Sequence, residues 1–243
     1  MVKRLYYLAV AFSVVMVGLS CGQDQDREQG GESGGKTAAA KKSPASKIAF
    51  ESVRSGAYDI WVMDADGSNQ VKLTAGKGWK RFPSWSPDGK QIAFVSDRLR
   101  QSTFNLYVMN ADGAGLRLVT DTISRVGFSS WSPDGTRIAF ETTMCCRGKT
   151  SDIYIINTDG SGLIDLTNTP ELDFEPSWSP DGSKIAFASE KNNNKDIYVI
   201  NVDGSNLVRL TDNAEKDESP NWSPDGSKIV FCSAVMASMI SLS

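Results

Sequence analysis

The chain has 243 residues, 40% hydrophobic and 23% charged, which gives room for one domain of roughly 200 residues with an appendage but not for two ordinary domains. It contains no histidine, which excludes Ser-His-Asp and Cys-His nucleophile systems, His-ligated zinc and c-type haem attachment. A net charge of -3 argues against an electrostatically driven nucleic-acid binder, which would present a basic surface, so no nucleic-acid partner is expected.

Residues 1–20 read as a signal peptide: a basic start (Lys3, Arg4), an apolar run from Leu5 to Val17, then Gly18, Leu19 and Ser20. The run is too short for a stable membrane span. Cys21 directly follows the small residues, and this order resembles a bacterial lipobox, in which the chain is cut before the Cys and the Cys is lipidated. The usual Leu three places before the Cys is Gly18 here, with Leu19 one place late. An ordinary cleaved signal peptide with an incidental Cys21 is the alternative. Residues 22–46 contain no aromatic and no large aliphatic side chain, so they cannot bury a core, and 21–46 is expected to be a lipidated Cys with a flexible tether. Gly22, not Asp, follows the Cys, which resembles the pattern sent to the outer membrane. The expectation is an exported outer-membrane lipoprotein on the periplasmic face, touching the membrane through its anchor only.

From Lys47 the chain repeats itself. A K/Q/R-I-A/V-F segment occurs at Lys47, Gln91, Arg137, Lys184 and Lys228. The last four copies are preceded by W-S-P-D-G, led by Trp85, Trp131, Trp178 and Trp222. The first four are followed by an aromatic segment ending in D-G, opened by Asp59, Asn105, Asp152 and Asp196, and then by a pair closing on Thr74, Thr120, Thr167 and Thr211. Self-similarity at about 45 residues is the signature of a stacked array.

Short β-branched and aromatic segments between turn residues read as antiparallel strands. In S-P-D-G, Pro presets a turn dihedral, Asp bonds back to the backbone and Gly takes positive φ. That assigns turn roles to Asp88 with Gly89, Asp134 with Gly135, Asp181 with Gly182 and Asp225 with Gly226, and core roles to the four tryptophans. Each unit therefore holds four short strands, A (P-S-W-S), B (K-I-A-F), C (D-I-Y-V-I) and D (L-x-x-L-T). Such units at this period describe an all-β protein, a β-propeller of about four complete blades and a partial fifth over residues 47–231. Residues 232–243 carry no aromatic C-strand pattern and read as a degenerate tail, with Ile240 where Asp or Asn stands in the other units. With four A, five B, four C and four D strands the array is expected to be an incomplete ring from a truncated chain, with a sticky free edge.

W-S-P-D-G-x-x-I-A-F with D-I-Y-V-x-N-x-D-G after it resembles the WD40-like repeat of the TolB propeller family, which also occurs in propellers of prolyl oligopeptidase-type enzymes. The resemblance implies a non-enzymatic envelope scaffold that binds a protein or cell-wall component, with Pal as the partner type, and no cofactor or metal. The alternatives are the propeller of a prolyl oligopeptidase-type peptidase without its hydrolase domain, or a sugar-binding propeller.

The internal copies also point to a face. Trp to Phe always spans 9 residues, C-strand Asp or Asn to turn Asp 7, turn Asp to Thr 8 and Thr to the next Trp 11. Only the B–C connection varies, at 9, 11, 12 and 9 residues. In an antiparallel blade the B–C loops share one face with the D–A connections, and variable loops on a rigid scaffold are the usual place for binding. On that face the first D–A segment, AGKGWKR, is basic, and the fourth, DNAEKDE, is acidic. Trp79, Lys80 and Arg81 are the candidate binding residues, since an aromatic beside cations is typical of interface hot spots. The turns around Asp66, Asp112, Asp159 and Asp203 lack the further ligands of a calcium loop and read as turns. Cys145 and Cys146, in the longest B–C loop, are open between a vicinal disulfide, an intermolecular bridge and free thiols.

Overall fold

A computed structural model describes residues 46–100, 103–121, 123, 125–142, 151–233 and 237–241; the export signal, Cys21, the tether to residue 45 and the Cys145–Cys146 pair lie outside the described residues. The described residues form strands and turns, with no helix among them. The first sheet holds β1 (Lys47–Ser52), β2 (Asp59–Asp64) and β3 (Val71–Lys72). The second holds β4 (Lys80–Trp85), β5 (Gln91–Arg100), β6 (Thr103–Asn110) and β7 (Arg117–Leu118). The third holds β8 (Val126–Trp131), β9 (Arg137–Thr142), β10 (Ile153–Asn157) and β11 (Ile164–Asp165). The fourth holds β12 (Leu172–Trp178), β13 (Lys184–Lys191), β14 (Asn194–Asn201) and β15 (Val208–Arg209), and the fifth β16 (Asp217–Trp222), β17 (Lys228–Ser233) and β18 (Ala237–Ser241). All pairings within the sheets are antiparallel and follow chain order. The expected A, B, C and D strands are therefore the observed ones.

Sheets stack in sequence through their A strands, β4 on β8, β8 on β12 and β12 on β16, so the A strands form the inner edge and the D strands the outer one. Burial follows this radial order. In the second blade Ile92, Ala93, Phe94 and Val95 of the B strand are all at most 1% exposed, because a B strand is covered by a neighbouring blade on each face. The D-strand residues Val71, Leu118, Ile164 and Val208 stand exposed. Between B and C, directly opposed aromatics stack: Phe94 on Tyr107, Phe140 on Tyr154 and Phe187 on Tyr198, with centroids 5.8–5.9 Å apart.

The S-P-D-G turns act as expected. Ser132 Oγ and the Thr136 amide both donate to Asp134 Oδ1, at 2.6 and 3.0 Å, and Gly135 takes φ 69°. The same bonds recur at Asp88, Asp181 and Asp225. These donors, led by the serine hydroxyl, hold Asp181 and Asp225 at about 2 and lower Asp88 and Asp134. The D-G turns hold their carboxylates likewise, with the Ser68, Ala114, Ser161 and Ser205 amides on Asp66, Asp112, Asp159 and Asp203. Two of the tryptophans also tie blades together: Trp131 and Trp222 Nε1 donate to the Ser84 and Ser177 carbonyls of the preceding blade, each at 3.2 Å.

Two features differ from the sequence reading. Residues 237–241, read as part of a degenerate tail, pair as a C-type strand with β17, in the register Phe231↔Ser238. The ladder is made by backbone groups that every residue carries, so no aromatic pattern is needed to form it. The aromatic partner of Phe50, Phe94, Phe140 and Phe187 is replaced by Ser238. The second feature is a β-bulge in each A strand, between Arg81 and Ser84, Val126 and Ser129, Phe174 and Ser177, and Glu218 and Asn221. Phe82, Glu175 and Ser219 take φ of 53°, 56° and 57° there, each before a proline.

Candidate functional site

Among the described residues, the face formed by B–C loops and D–A connections is built differently in the first and fourth blades. In the first, Val53–Gly56 is a turn closed by the Gly56 amide on the Val53 carbonyl at 2.8 Å. In the fourth, β13 and β14 run on to a tight hairpin whose Asn192 and Asn193 take φ of 54° and 64°, the dihedrals a two-residue primed turn demands.

The three residues singled out by sequence part company. Trp79 is 49% exposed, edge-on to Tyr58 at 5.6 Å, and its amide donates to Asp97 Oδ1 at 2.6 Å. Arg81 is half-buried: its guanidinium pairs with Glu51 at 2.9 Å and lies 4.6 Å from the centroids of both Tyr58 and Phe82. Trp79, Tyr58 and Arg81 thus form one aromatic–cation cluster. Lys80 is not on the surface. It is 2% exposed, with Nζ 3.1 Å from Asp59 Oδ1 and donating to the Gly76 carbonyl at 2.7 Å. The expectation of a surface cation at Lys80 is corrected: as the first A-strand residue it points into the junction between blades. The signal was in the copies, since five residues before each tryptophan stand Lys80, Val126, Asp173 and Asp217, and an apolar member of that set marks a buried position.

Asp59 is the centre of that junction. Burial raises its carboxyl, but Lys72 (2.6 Å), Ser55 (2.7 Å), Lys80 and Thr74 (3.0 Å) outweigh it and hold it at about 2. At the fourth connection Asp217 is fully buried, whereas Glu218 pairs with Lys195 at 3.1 Å beside Phe174. Lys77 is exposed at the first connection; at the fourth, Asp212, Glu215 and Lys216 are exposed, with Asp212 paired to Arg209 at 3.2 Å, which leaves that end acidic by one charge against the basic first end.

Sequence reasoning missed a line of carboxylates joining the A-strand bulges. Glu51 accepts from the Phe82 amide at 2.9 Å, Glu141 from the Glu175 amide and Glu175 from the Ser219 amide, both at 2.6 Å. Each bond satisfies an amide freed by a bulge with an acid from the preceding blade. Glu141 is buried with no cation paired to it among the described residues; desolvation pushes it up to about 7 against the pull of the Glu175 and Phe128 amides. No cluster of three or more acidic or cysteine side chains suited to a metal occurs among the described residues.

The TolB β-propeller domain family matches this chain over residues 7–140 and 99–238. The Tol-Pal system protein TolB of Geobacter metallireducens is 48% identical over 46 residues, which is 19% of this chain and 11% of that protein, so the match spans about a tenth of the curated relative's length. Among solved structures, TolB of Acinetobacter baumannii superposes with a TM-score of 0.65 at 25% identity, covering 76% of this chain and 46% of that one. An Agrobacterium tumefaciens TolB-type structure superposes with a TM-score of 0.63 at 26% identity, covering 79% of this chain and 71% of that one. With five sheets whose strands follow the A-to-D order, three of them four-stranded, and a family match over more than half its length, the chain belongs to the TolB β-propeller domain family.

Proposed function

We propose that this protein is a non-catalytic binding scaffold of the bacterial cell envelope, which holds a protein or cell-wall-associated partner of Pal type on its B–C/D–A face. The observation that carries this reading is the cluster of half-exposed Trp79 with Tyr58 and Arg81, on the one face where connection lengths vary. An exposed indole braced by a neighbouring ring and a guanidinium offers large contact area at low entropic cost. Lys80 acts from beneath, fixing through Asp59 the strand that presents Arg81. The opposite charges at the two ends of the face orient a dipolar partner. Membership of the family, whose curated relatives are named for the Tol-Pal system, supports an exported location; Cys21 is the proposed lipid anchor, with the tether holding the propeller off the membrane.

The full mature chain is tested against two immobilised probes, a purified Pal-type lipoprotein and purified peptidoglycan. Trp79→Ala with Arg81→Ala should abolish retention on the bound probe. Lys90→Ala with Ser183→Ala, in the opposite A–B turns, should leave it intact. The reverse pattern, or no retention on either probe, rejects the reading. Anchoring is tested separately by metabolic labelling with a palmitate analogue, which Cys21→Ala should lose.

A further inference from the structure

The junctions between consecutive blades repeat three positions: the Asp or Asn that opens a C strand, the second residue of its D strand, and the first buried residue of the next A strand. In the first junction these are Asp59, Lys72 and Lys80, an acid held by two cations at 2.6 and 3.1 Å. In the second they are Asn105, Leu118 and Val126, with no charge. In the fourth, Asp196 is held by Arg209 at 2.8 Å, and Asp217 takes the place of the lysine. In the third junction all three are acids: Asp152, Asp165 and Asp173. Where the first junction supplies two cations, the third supplies none.

Asp173 is 1% exposed. Its Oδ2 accepts from Thr169 Oγ1 at 3.2 Å, but Oδ1 has no hydrogen-bond partner among the described residues. A buried carboxylate oxygen without a donor is costly and calls for one. Asp173 lines a cavity of about 120 Å³ beside the third junction, together with Thr167, Thr169 and Ser189. The stacked rings of Phe187 and Tyr198 form another wall. Lys191 also lines the cavity, but its ammonium is 3.2 Å from Glu171 on a largely exposed side chain, so its charge is already answered. Burial raises both Asp173 and Asp152; Asp152 adds to the rise of Asp173 and Asp165 to that of Asp152, while the Ser189, Thr167 and Thr169 hydroxyls pull Asp173 down.

We propose that this cavity binds a primary alkylammonium group, whose charged head is held at Asp173 as the Lys80 ammonium is held at Asp59. The first junction is the template, since the same backbone positions there enclose an ammonium contacted by a carboxylate and a carbonyl. Carboxylate and hydroxyl acceptors suit a group with three donors, and two aromatic faces suit a cation and its alkyl stem. A free amine and the lysine-type side chain of a partner offer this same chemistry. The inference stands on the junction's own geometry and holds or fails independently of partner capture through Trp79.

The probes are n-butylammonium chloride and the tripeptide acetyl-Gly-Lys-Gly-amide, titrated into the full mature chain and followed by ligand-observed NMR and thermal unfolding, with n-butanol and equimolar NaCl as controls. Saturable butylammonium binding with Kd on the order of 1 mM is expected, weakened about tenfold or more in Asp173→Asn. Binding of the tripeptide as well identifies a side-chain site, and binding of butylammonium alone a free-amine site. Asp173→Lys should supply the A-strand cation that the first junction has at Lys80, raise the melting temperature and abolish binding of both probes. No saturable binding, equal responses to n-butanol or NaCl, or binding unchanged by Asp173→Asn overturns the proposal. If Asp173→Asn does not fold, butylammonium binding retained by Asp173→Lys overturns it equally.

Discussion

The first and third junctions between blades occupy equivalent places in the repeat and carry opposite electrostatics. At the first, Asp59 lies between Lys72 and Lys80, and Glu51 between Arg81 and the Phe82 amide. At the third, Asp152 and Asp173 are both buried acids, and Glu141, which follows Phe140 as Glu51 follows Phe50, is answered by the Glu175 and Phe128 amides and, without direct pairing, by the charge of Lys195. The backbone bonds around them are alike: the Ile60 and Ile153 amides donate to Thr74 and Thr167 Oγ1 in the two blades. The comparison teaches that the ladder and turns fix the blade, leaving buried junction side chains free to change charge, with consequences for stability and binding.

Among substitutions at fixed pH, the largest effect should come from breaking the neutralised junction. Lys80→Met removes one of the two cations on Asp59 and leaves Lys72 in place, and should cost about 2–3 kcal/mol, measured by urea unfolding. Asp173→Asn, at the equivalent place in the third junction, should be neutral or stabilising, because it removes a buried charge that, among the described residues, has no paired cation and whose Oδ1 has no donor. Equal costs for the two would erase the distinction between the junctions.

A second effect is a pH dependence of opposite sign at the two sites. Glu141 has a folded value of about 7, above its ordinary 4.5, so the folded state binds the extra proton. Its contribution is fully present below about pH 4.5 and is lost as pH rises through 7, a swing of about 3 kcal/mol. Asp59, at about 2, contributes above its ordinary value and loses that contribution as pH falls through 2. Melting temperatures from pH 4.5 to 8 should therefore fall for the wild type and flatten for Glu141→Gln, with Asp59 mattering only in stronger acid. A Glu141→Gln profile parallel to the wild type would contradict the assignment.

The smallest effect is expected where all copies agree. Asp134→Ala removes the acceptor of the Ser132 hydroxyl and the Thr136 amide in an exposed turn and should cost about 1 kcal/mol by the same unfolding assay. Asp181→Ala should match it. A twofold or greater difference between the two would show that these turns, like the junctions, differ in energy despite their shared sequence.

The sequence by itself determined the strands, their order and the turn chemistry, because these rest on local forces: φ restrictions at Pro and Gly, Asp–amide bonds within three residues, and aromatic or β-branched pairing between neighbours. It also separated the uniform face from the variable one, since loop length is read directly from spacing. Only the tertiary structure decided where charged side chains face. Lys80 reads as a surface cation beside Trp79, yet strand register turns it into the junction with Asp59, 21 positions earlier in the chain. The A-strand bulges that face Glu51, Glu141 and Glu175, and the strand at Ala237–Ser241, were equally beyond local pattern. A bulge is fixed by what its freed amide meets in the preceding blade, and a strand without aromatics is fixed by the edge waiting for its backbone. Asp173 belongs to the same class: its charge is local, but its lack of an answering cation arises only when two blades stack.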